Sequence, residues 1–182
     1  MIRDIQKVDD DTIRKKRIIA QILYSDPDIV EVLCDPDIDP TCPEELMYSS
    51  IYPFIRIPGV QDTSKNFVTF SISNIGNVMT NKSMKNQYIQ FVIFVHRDLV
   101  QTNYGMERHD CLGYIIKDIF HLSNKLGTQM ELVSDAEGAT DTNYITRTLK
   151  FELTTDNAIQ PYKTNKYERD SIVHKNNGMV RV

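Results

Sequence analysis

The run "YIQFVIFVHRDLVQTNYGMERHDCLGYIIKDIF", Tyr88 to Phe120, holds the fold's decision in one piece. Its first nine residues are apolar on both faces, the pattern of a central strand covered on two sides. Its last part places Cys111, Leu112, Ile115, Ile116, Ile119 and Phe120 at spacings of three and four, which predicts an amphipathic helix. Thr102 or Asn103 is the expected cap at its start, and Gly127 the expected stop. Between strand and helix stands "HRDLVQTN", His96 to Asn103, which matches the protein-kinase catalytic-loop signature. Only 79 residues follow Asn103 (182 minus 103), and no Gly-rich phosphate loop, upstream lysine motif or D-F-G accompanies it. Nothing in that scheme would hold nucleotide or Mg²⁺, so the eight letters read as a strand end and a turn.

Working outward, "DTIRKKRIIAQILYS" places Ile13, Ile18, Ile19, Ile22 and Leu23 on one face of a helix, capped by one of Asp9, Asp10 and Asp11. Asp26-Pro27 ends it, because a residue before proline is pushed out of helical geometry. Residues 28–33 allow one more apolar turn. Residues 26–46 form an acidic, proline-rich flap, with eight acids and no Lys or Arg between Asp26 and Glu45. Asp35, Asp37 and Asp39 alternate like the start of a calcium loop, but Pro40 stands where glycine must turn the chain and Leu46 where a glutamate ligand belongs. No metal site is expected there; the aspartates are candidate contacts for a basic partner.

"YPFIRI" (Tyr52 to Ile57) and "FVTFSIS" (Phe67 to Ser73) read as strands, the second with Val68, Phe70 and Ile72 on one face. Residues 74–87 are polar, lack periodicity and carry Lys82 and Lys85, so a long reaching loop is expected. "MELV" and "YITRTLKFELTT" read as a hairpin with the link "SDAEGATDTN" as its loose tip; Ile145, Leu149, Phe151 and Leu153 mark the buried face of the second strand. The tail, residues 157–182, is polar and reads as an extended arm carrying Lys163, Lys166 and Arg169. The expected architecture is α+β: one domain over residues 1–156, a mostly antiparallel sheet flanked by helices, with the C-terminal arm beyond it.

Composition bounds the function. The chain is 41% hydrophobic and 25% charged, with net charge −4, which disfavours a dedicated nucleic-acid binder. No stretch is apolar enough for a membrane span and the N-terminus lacks a signal-peptide core, so a cytosolic origin is expected. Cys34, Cys42 and Cys111 are odd in number and lack metal spacing, which points to reduced thiols. His96, Asp98, His109 and Asp110 surround the strand-to-helix junction and offer a general base or metal centre of a small hydrolase. Adjacent helical residues point apart, however, so Arg108, His109 and Asp110 are not expected to converge. The preferred reading is that Arg97 or Arg108 pairs with Asp98 or Asp110 to pin the turn, with no catalytic residue, metal or cofactor.

From Glu44 to Asp156 the chain resembles the neck and tail-terminator (tail-completion) proteins of tailed bacteriophages. The resemblance rests on "IYPFIRIPGVQD" leading into "FVTFSIS", on Tyr88 to Phe120, and on "LVSDAEGATDTNYITRTLKFELTT". A strand ending in His-x-Asp, an aromatic and a glycine in the loop, and a helix opening with Arg-x-Asp carry it; here they are His96, Asp98, Tyr104, Gly105, Arg108 and Asp110. The resemblance implies a sheet flanked by helices and a virion protein assembled in the host cytoplasm, usually into a homohexameric ring at the head–tail junction. Such a ring terminates the tail tube and meets the head connector or head-closure protein, with a sheath or collar protein as a further neighbour. DNA would pass through its lumen without specific binding. A head-closure or other neck adaptor role is the alternative.

Overall fold

The computed structural model describes residues 10–35, 39, 42–59, 64–78, 80–140 and 143–156. Helix α1, Asp11–Ser25, is capped by Asp10, whose side chain accepts from the backbone N–H groups of Thr12 and Ile13. Asp26 leaves helical geometry and caps α2, Pro27–Leu33, in the same way. The single apolar turn expected there is thus a seven-residue helix, followed by a 3₁₀ turn at Pro43–Leu46. Strands β1 (Ile51–Tyr52), β2 (Phe67–Val78) and β3 (Asn81–His96) lead to α3 (Arg108–Phe120), and β4 (Glu131–Ala139) and β5 (Tyr144–Asp156) close the order.

The five strands form one sheet in the order β1-β2-β3-β5-β4, antiparallel except for the β1–β2 pair. The α+β architecture expected from the sequence is the one observed. β3 lies at the centre. Its odd-numbered residues Ile89, Phe91, Ile93 and Val95 join Val68, Phe70, Leu149, Phe151 and Leu153 in a core shared with all three helices. Burying each such side chain contributes about 1.5–3 kcal/mol. Phe91 packs against Phe70, Phe120 and Phe151. On the opposite face Tyr52, Phe67, Val92, Phe94 and Tyr144 make a second, smaller buried cluster, which explains why β3 is apolar on both sides. No helix among the described residues is long and apolar enough to cross a membrane.

Four expectations are corrected. Residues 74–87 are not a loop: β2 runs on to Val78 and β3 starts at Asn81, so the segment is a paired ribbon that β5 flanks as far as Met84. The ladder supplies its hydrogen bonds while much of it stays exposed, so no apolar alternation marks it. "YPFIRI" is a strand only at Tyr52, because Pro53 has no N–H to extend the pairing. The link 134–143 is strand as far as Ala139; as an exposed edge it needs no apolar residues. Finally, α3 begins at Arg108 with Glu107 at the cap position, and ends at Phe120, well short of Gly127.

Candidate functional site

Every junction residue picked out from the sequence lies around the end of β3, but with different partners. His96 Nδ1 accepts from the Asp98 N–H at 3.3 Å and lies 3.4 Å from its carboxylate, and the imidazole edge meets the Tyr144 ring. Arg108 pairs with neither Asp98 nor Asp110. Its guanidinium donates to the carbonyls of Leu99 (2.6 Å), Gln101 (3.4 Å) and Val32. A planar fork with several donors suits such a set of carbonyls, and the Val32 carbonyl lies at the C-terminal, negative end of α2. Arg108 therefore ties the short turn that follows β3, the loop and α2 together.

The loop between is closed by its own backbone. Arg108 N–H donates to the Val100 carbonyl at 2.8 Å, and Gln101 and Glu107 form an antiparallel bridge. Thr102 Oγ1 donates to the Met106 carbonyl, which spends on the loop the side chain expected to cap α3. Gly105 turns the chain at φ +77°, where other residues are strained. Tyr104 is exposed and its hydroxyl donates to Glu31 on α2, which raises its pKa through that hydrogen bond.

Asp110 points away from Arg108 and binds Arg147 on β5. Arg147 occupies the helix-facing side of β5, in register with Ile93. It also donates to both oxygens of Asp135 on β4 at 2.8 Å, and Lys117 on α3 reaches the same carboxylate at 2.8 Å. Asp135 is held at about 2, chiefly by the Arg147 hydrogen bond, against its partial burial and with help from Lys117. Sequence reading missed Arg147. The available signal was its position on the stripe Ile145, Leu149, Phe151, where a charge facing the core side needs a partner.

His109, buried, brings its Nε2 to 3.4 Å from Glu107 and 3.8 Å from Asp110, while its Nδ1 has no hydrogen-bond partner among the described residues. His109 and Asp110 thus approach each other after all: the reach of the two side chains at the first turn spans the angle between them. Glu107, His109 and Asp110 are the group among the described residues with metal-ligand geometry, their ligand atoms within 4.8 Å of one another. His96 and Asp98 do not belong to it. Arg147 already occupies the Asp110 carboxylate, and the positive N-terminal end of α3 also opposes a cation.

The remaining predicted contacts divide. Asp35 is not exposed to a partner: it accepts from Ser49 Oγ (2.9 Å) and Ser50 Oγ (2.6 Å) and pairs with Lys65 (3.2 Å). Asp39 is exposed. Lys85 is half-buried, 3.8 Å from Asp11, and Lys82 lies on the ribbon near the start of β3. Asp37, Lys163, Lys166 and Arg169 lie outside the described residues, as does the arm 157–182.

A second network joins α1 to the ribbon. Lys15, 1% exposed, donates to Asp11 (2.9 Å) and Gln87 (2.6 Å), and Gln87 donates to Asn74 on β2 at 2.8 Å. Burial lowers the Lys15 pKa despite the Asp11 partner. Beyond this anchor β2 and β3 stay paired as far as Val78 and Asn81.

No curated protein matches the chain. A family model described as YomW matches residues 17–153, from the middle of α1 to near the end of β5, and so takes in the whole Arg108 and Arg147 clusters. The family is named like a gene product of the Bacillus phage SPBc2, which points to a phage-encoded protein. With 137 of its 182 residues inside the match (17 to 153), the chain belongs to the YomW family.

Proposed function

We propose that this phage-related chain is a non-enzymatic structural protein of the virion, closing a homohexameric ring at the head–tail junction. The ring terminates the tail tube and joins it to the head connector or head-closure protein. The observation that carries the reading is a sheet with two unlike open edges. Among the described residues β4 pairs only with β5, and β1 covers only Val68 and Thr69 of β2. β4 carries Glu131, Asp135 and Glu137 without a base, whereas β2 carries no charge. Unlike surfaces on opposite sides of one subunit generate head-to-tail contacts, which close into rings when the rotation allows.

Two further features support it. The β2–β3 ribbon, which carries Lys82 beyond Lys85 and its Asp11 neighbour, is suited to meet the tail tube protein below. The chain's acidic balance suits a lumen through which DNA slides without being held. A sheath or collar protein would meet the outer surface.

Electron microscopy of phage particles bearing a tag on this chain tests the proposal. The expected result is tag density in a ring between head and tail, with free heads and unjoined tails when the gene is removed. Particles that lack the chain, or that carry it elsewhere, overturn it; density on the head side alone shifts the role to head closure.

A further inference from the structure

We infer that the ring contact is made by the β4 side of one copy docking on the segment 48–59 of the next, an inference that rests on the ring reading above. Eleven large apolar side chains are exposed among the described residues, and four of them, Tyr48, Phe54, Ile55 and Ile57, fall within ten residues of chain. Toward the opposite edge of the sheet three more are exposed, Tyr114 on α3, Leu122 just after it and Val133 on the edge strand β4. Leu122 N–H donates to the Met130 carbonyl beside the start of β4, Val133 lies at a register shift within β4, and Tyr114 shares a helix stripe with Asp110 and Lys117, which reach β5 and β4.

The first patch is held rigidly although it is irregular. Arg56 donates to the Tyr52 hydroxyl and lies over the rings of Tyr52 and Phe67, and Pro58 is buried. Asp35 clamps Ser49 and Ser50 from behind. Between these anchors Ile57 is 74% exposed, and Tyr48, 65% exposed, is kept at φ +65°, a conformation that costs a tyrosine free energy. A pre-ordered apolar surface loses little entropy on binding.

A second copy is the occupant that fits. The two patches lie at opposite ends of the strand order, so one copy offers both halves of the contact without satisfying either in itself. Their exposed charges are opposite: with Asp135 held by Arg147 and Lys117, β4 still presents the acids Glu131 and Glu137, whereas Tyr48–Gly59 has Arg56 and no acid. The register shift and acids of β4 disfavour continued strand pairing, so the contact is made by side chains.

Ile57→Asp and Val133→Asp, each in the full chain and checked for native circular dichroism, test this by light scattering. Each variant alone is expected to be monomeric under conditions where the unmodified chain is a ring. Mixed at high concentration, they should form a 1:1 dimer and stop there, because the pair retains one intact contact. Hydrogen exchange of the unmodified chain should also show protection at 54–59 and 131–137 on assembly. A ring that survives both substitutions, or a mixture that stays monomeric, overturns this surface and leaves the ring reading standing. An unmodified chain that assembles neither alone nor on tail tubes removes the ring reading itself.

Discussion

Arg147 Nε and Nη2 each lie 2.8 Å from one oxygen of Asp135, so a guanidinium on β5 grips a carboxylate on β4 with two parallel hydrogen bonds. The same guanidinium holds Asp110 on α3, and Lys117 returns from α3 to Asp135. Helix, inner strand and edge strand are joined through one side chain. Bidentate charged pairs of this kind are stronger than ordinary surface pairs because geometry and charge act together.

Arg147→Met removes all three contacts while keeping much of the side-chain volume. A loss of about 2 kcal/mol is expected from charge-assisted hydrogen bonds at a partly buried site. In a chain of this size that lowers the melting midpoint by roughly 4–8 °C. Calorimetry on the variant checks it, and an unchanged midpoint would show the cluster to be energetically idle.

Acid should act through Asp135. Its carboxyl titrates at about 2 in the folded chain, against 3.8 for the free group. A depressed folded value means that the unfolded chain binds the proton more tightly, so the stabilisation is present above about pH 4. It is lost as pH falls from there toward 2. Denaturant midpoints of the parent chain and Asp135→Asn should therefore converge across that window; curves that stay parallel would assign the acid response to other groups.

The parts of this fold that face a core were legible, and those that face solvent or each other were not. Val68, Phe70 and Ile72 gave β2 its face, and Leu112, Ile116 and Phe120 gave α3 its stripe, because burial imposes a period. The ribbon beyond Asn74 has no core to face, and its pairing is a backbone property that side chains barely record. Arg97 or Arg108 is expected from the sequence to pin the turn by pairing with Asp98 or Asp110, yet the partners of Arg108 are carbonyls, which no sequence displays. Arg147 was invisible for a related reason: Asp135 is twelve residues away and Asp110 thirty-seven, brought together only by the strand order.

Gly113 belongs to the same cluster from the helix side. A Cβ there would lie 2.7 Å from Arg147 Cδ and 2.8 Å from its Nε. Glycine within a helix costs about 1 kcal/mol relative to alanine, so Gly113→Ala would ordinarily stabilise. Here the methyl displaces a guanidinium fixed at both ends, and a net loss of about 1–3 kcal/mol is expected. In the Arg147→Met background the flexible side chain can yield and the penalty should shrink, which a double-mutant cycle in denaturant would measure. Equal penalties in both backgrounds would mean that the contact is relieved elsewhere.

The Arg108 clamp separates geometry from charge. Arg108→Lys keeps the cation beside the α2 C-terminus but replaces a planar fork with a single ammonium. One ammonium cannot follow the arrangement by which the guanidinium serves Leu99, Val32 and Gln101 together. The expected cost is about 1–2 kcal/mol in global stability, since net hydrogen bonds are worth about 1 kcal/mol each and some are retained. The local effect should be larger than the global one. Residues 99–107 are held chiefly by this side chain, the Val100 and Gln101 backbone contacts and Thr102, so hydrogen exchange there should accelerate more than in β3 or β5. Uniform acceleration across the chain would show that Arg108 supports the fold as a whole, and normal exchange at 99–107 would remove it as the residue that closes the loop.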